Sequence, residues 1–137
     1  MAFKLHPTLY ADCHHLGHII SSALLLHKNA LIPWFIMVPD TDVNELYKLQ
    51  PEQQKIIQHE TNILSRFVEE HFTVDKLNIA TIGNIVPQLH IHIIGRFIDD
   101  FCWPNPVWGR SEFTTYEDQQ LVTIKHALIN KGVLHTD

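Results

Sequence analysis

The chain has 137 residues, 45% of them hydrophobic, a mean hydropathy near zero and a net charge of −5, the size and balance of one globular domain, residues 1–137, around one core. The acidic balance excludes non-specific nucleic-acid binding, which needs a field of Lys and Arg, and no apolar run approaches the roughly 18 residues of a membrane span. A phosphate-bearing ligand must therefore be met by local groups. Cys13 and Cys102 could form only one bridge, and Met1 to Pro7 lacks the apolar segment of a secretory leader, so two reduced thiols in the cytoplasm are expected.

In chain order, residues 1–15 have no clean period, and Pro7-Thr8 and Asp12 read as loop or turn. His14-Leu16-His18 and Leu16–Ile20 suit a short strand, Ser21-Ser22 a break, Ala23–Leu26 a second strand, and His27-Lys28-Asn29 a turn into a third, Trp34–Val38, bounded by Pro33 and Pro39. Prolines are tolerated at strand ends, where a missing N–H costs little, and a meander is the simplest connection. A short helical turn is expected within residues 43–49. Pro51 then opens the main helix, where Pro loses no intrahelical bond, and the apolar stripe at 56, 57, 63, 64, 67, 68 and 72 carries it to Phe72. Lys76–Gly83 reads as a strand that returns through Gly83-Asn84 and Pro87. A loop with Trp103 and Trp108 follows. Thr115, Glu117 and Asp118 open a last helix with Leu121, Val122, Ile124, Leu128 and Ile129 for burial, and Lys131-Gly132 ends it.

Between these lies Gln88-Leu89-His90-Ile91-His92-Ile93-Ile94-Gly95-Arg96, in which polar and aliphatic residues alternate until the glycine. It reads as a half-buried strand, with Leu89, Ile91 and Ile93 on the core face and Gln88, His90 and His92 on the other. Same-face neighbours on a strand lie roughly 6 to 7 Å apart, so both imidazoles can reach one small ligand such as a phosphate. An ordinary solvated strand face has the same pattern. A metal site is a further reading, because Cys13, His14, His15, His18, His90 and His92 are all competent ligands, but Cys-His-His-x-x-His fits none of the compact zinc spacings.

The Gln-φ-His-φ-His-φ-φ run, with Gly83-Asn84 before it and an amphipathic helix after a Val-Pro strand end, resembles the histidine triad (HIT) family, whose motif is His-φ-His-φ-His-φ-φ. The resemblance implies an α+β fold: an antiparallel sheet packed against one long helix, with a C-terminal helix. It further implies a homodimer and a nucleotide hydrolase or transferase that forms a covalent nucleotidyl-histidine. Carried over residue by residue, His90 is the nucleophile and His92 a phosphate contact. Gln88 occupies the first triad position, where the backbone carbonyl accepts the nucleophile's other ring N–H. Gly83, Asn84 and Arg96 are candidate substrate contacts, as is Trp34, which stands where many members have a histidine facing the site.

An amide at 88 can donate a hydrogen bond but cannot relay a proton near neutral pH, which favours phosphoanhydride over phosphoramidate substrates. On this reading, histidine at 88 completes the triad without disturbing the strand. A nucleotide-binding HIT-fold protein of weak activity is the second expectation. No cofactor is called for, and a divalent ion is compatible with a phosphate substrate.

Overall fold

A computed structural model describes residues 4–136. Within them the chain forms α1 (Pro7–Asp12), β1 (Cys13–His18), β2 (Ser22–His27), β3 (Trp34–Pro39), a 3-10 turn (Leu46–Lys48), α2 (Pro51–Phe72), β4 (Lys76–Ala80), β5 (Ile91–Arg96) and α3 (Asp118–Asn130). Every strand pairing is antiparallel, in the order β1-β2-β3-β5-β4. This is the α+β architecture expected from the sequence.

Helix α2 begins at its proline and ends where Thr73 turns left-handed at φ 53°. Its buried stripe is Ile57, Leu64, Phe67 and Val68, while Ile56 faces outward. Glu60 lies on the same buried side and is fully enclosed. A buried carboxylate is tolerable only when its lone pairs are satisfied. Here Oε2 accepts the backbone N–H groups of Ile20, Ser21 and Ser22, each at 2.9 Å, and Oε1 accepts the Ser22 hydroxyl at 2.7 Å. Charge-assisted bonds of this kind are the strong ones, and they pin α2 to the turn between β1 and β2. The sequence reading took Ser21-Ser22 only as a break.

The N-terminal reading needs correction. Residues 7–12 are helical: Pro7 sits in the first turn and the His6 ring caps the helix, its Nδ1 accepting the Thr8 N–H at 3.1 Å. Six residues are too few to show a helical period. The first strand runs Cys13–His18, as the His14-Leu16-His18 alternation suggests, and stops short of Ile20; its register slips between His15 and Gly17. Gly17 has φ +153° and lies so close to the His135 carbonyl that a Cβ would sit 2.5 Å from it. That contact belongs to a bridge pairing His18 with His135, which no local pattern announces.

The core has two layers. Leu24, Leu26, Phe35, Met37, Leu89, Ile91 and Ile93 meet α2 and α3 on one face of the sheet. Leu25, Trp34, Ile36, Val38 and Ile94 meet Leu9 of α1 and Cys102 and Val107 of the long loop on the other. The predicted alternation of Leu89, Ile91 and Ile93 holds, but the opposite face is covered, so β5 is buried throughout rather than half-buried. Its ladder begins at Ile91, paired with Met37, and Gln88–His90 precede it. In α3 only Ile124 and Leu128 are fully buried; Val122 and Ile129 are exposed because the helix presents a narrow face to the sheet.

Candidate active site

The register of the central strands determines which side chains share the histidine face. Ile36 pairs with His92 and Trp34 with Ile94 across β3 and β5, and Leu26 pairs with Phe35 across β2 and β3, so His27 comes alongside Trp34. The His27 and Trp34 rings stack at 4.2 Å and 12°. Over this face lies a cleft of about 480 Å³ lined by His27, Trp34, His90, His92, Asp12 of α1, Gly83, Asn84 and Trp108, among others. That volume is within the range of small-molecule sites.

The two motif imidazoles lie with ring centres 4.9 Å apart, and each has one nitrogen committed to a partner of known polarity. His90 Nδ1 lies 2.7 Å from the Gln88 carbonyl oxygen. A carbonyl only accepts, so Nδ1 carries a proton, and in the neutral ring the lone pair is on Nε2. Trp34 Nε1 lies 3.0 Å from His92 Nδ1. An indole N–H only donates, so His92 Nδ1 is the acceptor and Nε2 carries the proton. Neighbouring rings are thus held as opposite tautomers, one offering a base and the other a donor. Protonating His92 would set a new N–H against the indole N–H. Burial lowers its pKa to about 3, with His90 and His27 adding to the effect.

Sequence reasoning missed His27, which it placed in a turn. His27 Nδ1 accepts the Asn29 N–H at 3.0 Å, leaving a proton on Nε2 of a ring that lines the cleft. Burial lowers its pKa, partly offset by the Asp12 carboxylate. No motif spacing links residue 27 to residues 90 and 92; only strand pairing does. Cys13 also lines the cleft, and burial pushes its thiol up to about 12, so it remains protonated.

Of the residues singled out from sequence, His90, His92, Gly83, Asn84 and Trp34 come together at the cleft. Trp34 is 6% exposed, and its indole N–H is spent on His92 rather than turned to a ligand. Gln88 contributes its carbonyl, but its side chain turns to the N-terminal segment: Nε2 donates to the Lys4 carbonyl at 3.0 Å and Oε1 accepts the His6 N–H at 2.8 Å. Arg96 is not brought to the site. It is 1% exposed, with Nε and Nη2 donating to Asp100 at 2.8 and 3.0 Å and Nη1 to Asn78 at 2.9 Å. Burial alone would raise the Asp100 pKa, but the Arg96 bonds and the Phe97 and Cys102 N–H groups hold it at about 2. Arg96 lies two residues after Ile94, and the pleat alone puts it on the histidine face; the Asp100 loop claims it first. Trp103 lies over its guanidinium at 5.5 Å, while Trp108 sits edge-on to His92 at 5.1 Å. Arg110 pairs with Glu112 at the surface.

The metal reading finds no assembled ligand set: among the described residues no three His, Cys, Asp or Glu side chains form a group able to hold an ion. Along β1 the candidates diverge, His14 against Tyr116 and His18 against His135. No helix among the described residues is long and apolar enough to cross a membrane.

The class this fold and cleft define is an α+β domain whose antiparallel sheet presents two imidazoles in a cleft of ligand size. Residues 10–99 match the model of the HIT domain, and the chain belongs to that family, whose members are commonly nucleotide hydrolases or transferases. Among solved structures it is similar to a histidine triad protein from Bradyrhizobium japonicum, at 38% identity over 96% of this chain and 98% of that one, with a TM-score of 0.91. A histidine triad protein from Marinobacter aquaeolei shares 40% identity over 94% and 95% of the two chains, with a TM-score of 0.89. One from Sinorhizobium meliloti shares 30% over 95% and 97%, with a TM-score of 0.91. No curated protein matches the chain.

Proposed function

We propose that the protein is a nucleotidyl hydrolase or transferase that attacks the α-phosphate of a nucleoside polyphosphate or nucleotide conjugate with His90. The observation that carries this reading is the pair of opposite tautomers, a lone pair on His90 Nε2 beside an N–H on His92 Nε2. Nucleophilic attack needs a neutral, oriented imidazole and donors for the growing charge on the phosphoryl oxygens. In the first step His90 Nε2 forms a bond to phosphorus and the leaving group departs with the electron pair of the broken P–O bond. The ring becomes cationic, and its Nδ1–H remains bonded to the Gln88 carbonyl. His92 Nε2–H, the Asn84 amide and the Gly83 N–H are the donors for the equatorial oxygens. In the second step water attacks phosphorus, the P–N bond breaks, its pair returns to Nε2, and the water's proton passes to solvent; an acceptor hydroxyl in place of water makes the reaction a transfer.

His92 is held neutral and supplies no acidic proton. A phosphate or nucleotide leaves as a stable anion, whereas an amine must be protonated, so phosphoanhydrides are the preferred substrates over phosphoramidates. Rapid quenching with a dinucleoside polyphosphate, followed by intact-mass and peptide analysis, is expected to show a nucleotidyl adduct on His90 that His90→Ala lacks. Hydrolysis should fall more than a hundredfold in that variant. A second reading, nucleotide binding without turnover, is favoured by the same neutral His92. It predicts saturable nucleotide binding with no adduct at high enzyme concentration.

The same proposal includes a homodimer. The β1 edge of the sheet is occupied by the His18–His135 bridge. The β4 edge carries the exposed Ile79, with the exposed Ile82 and Ile85 in the loop that follows. Unpaired edges with apolar side chains favour pairing with a second sheet. Light scattering is expected to give twice the chain mass.

A further inference from the structure

We propose that Gln88 is a positioning residue whose side-chain amide fastens residues 4–6, and α1 behind them, as a wall of the histidine cleft. The inference rests on the cleft being the substrate site. A primary amide presents a donor and an acceptor side by side, as a peptide group does, and can therefore read the C=O and N–H of an extended segment together. Gln88 does so: Nε2 donates to the Lys4 carbonyl at 3.0 Å and Oε1 accepts the His6 N–H at 2.8 Å. The next bonds in the chain continue into the helix, since the His6 ring takes the Thr8 N–H and the His6 carbonyl takes the Tyr10 N–H. Thr8, Leu9 and Asp12 of that helix line the cleft.

Apart from the clamp, α1 is held at its far end, where the Asp12 carbonyl accepts the Lys28 N–H at 3.0 Å, and by Leu5 and Leu9 against the second core layer. Six residues are far below the length at which a helix persists in water, and Leu9 is its one buried side chain. The same residue that clamps this arm supplies the carbonyl that orients His90, so the wall and the nucleophile share one anchor. An imidazole at 88 cannot replace the clamp, because its two nitrogens are separated by a ring carbon and diverge instead of lying side by side. Histidine at 88 therefore does not slot in without disturbance, as the sequence alone suggested: it removes both bonds to the arm.

The test combines hydrogen exchange with steady-state kinetics on Gln88→Ala, Gln88→His, a chain lacking residues 1–5, and Gln88→Ala in that shortened chain. Amide protection over residues 6–10 is expected in the wild type and should be lost in all variants. KM for a dinucleoside polyphosphate should rise about tenfold, the size expected for the net loss of two ordinary hydrogen bonds, with a much smaller change in kcat. Because Gln88→Ala and the deletion break the same clamp, and the deletion also removes Leu5 from the core, the double variant should be no worse than the shortened chain alone. Additive effects, or undiminished protection over residues 6–10 in Gln88→Ala, would overturn the proposal. A fall in kcat at constant KM would do so as well. If the wild type turns over no nucleotide, the functional reading fails, and exchange protection together with the dissociation constant for a bound nucleotide still decides the clamp.

Discussion

Strand β5 and the residue before it bury three polar side chains, His90, His92 and Arg96, and the two ends of the strand treat them differently. At Arg96 three guanidinium nitrogens have neutral or anionic oxygen partners, with side-chain exposures of 1% for Arg96 and 3% for Asp100. At His90 and His92 one nitrogen of each ring is bonded and the other remains available to the cleft. The first arrangement has no capacity left for a ligand; its effect is to hold the loop after β5 against the sheet. The second leaves one nitrogen of each ring facing the cleft, and that remaining valence is what a substrate can use. Completeness of partnering separates the structural cluster from the candidate site, since residue type alone left Arg96 among the candidate substrate contacts.

The comparison is tested most severely by exchanging losses between the two ends. Asp100→Ala leaves a buried guanidinium without its carboxylate and should cost about 3 to 5 kcal/mol of stability, measured by urea unfolding, while the fraction that stays folded keeps its hydrolytic activity. His90→Ala should do the reverse, with activity lost and the unfolding midpoint nearly unchanged. If Asp100→Ala inactivates a fully folded protein, Arg96 belongs to the site after all.

A smaller effect is expected at Trp34→Phe, which keeps the stack on His27 but removes the indole N–H from His92. Either His92 nitrogen can then carry the proton, and a charged ring is no longer opposed by the indole. Burial, His90 and His27 still hold the His92 pKa low, so its charge state is kept while its tautomer is freed, and kcat/KM should fall several-fold. An unchanged kcat/KM would remove the tautomer lock from the mechanism.

A further test is acid titration of stability. The His92 pKa is depressed in the folded chain, so above about 6.5 the ring is neutral in both states and contributes no pH dependence. Below that value the unfolded chain takes up a proton that the folded one refuses, and stability should fall by about 1.4 kcal/mol per pH unit until the folded pKa is reached. Asp100 adds its own loss only later, as pH drops below its ordinary value of 3.8 toward about 2. Urea melts between pH 7 and 4 should show the first slope, to which His27, also depressed by burial, adds.

The sequence by itself determined what neighbours in the chain can decide. The 22 residues of α2 run from Pro51 to Phe72 as the apolar period and the proline require, β3 ends at its flanking proline, and the alternation of Leu89, Ile91 and Ile93 put those side chains under the helices. The spacing of His90 and His92 likewise placed two imidazoles on one face. Only the tertiary structure decided which polar groups would be free. Gln88 meets residues 82 and 84 positions away, Glu60 residues 38 to 40 away, and Trp34 a histidine 58 away. A donor's fate depends on which acceptor reaches it first in space. Local periodicity reports burial and face, but it has no information on partners brought in by strand order, which is why His27 entered the cleft unannounced and Arg96 left it.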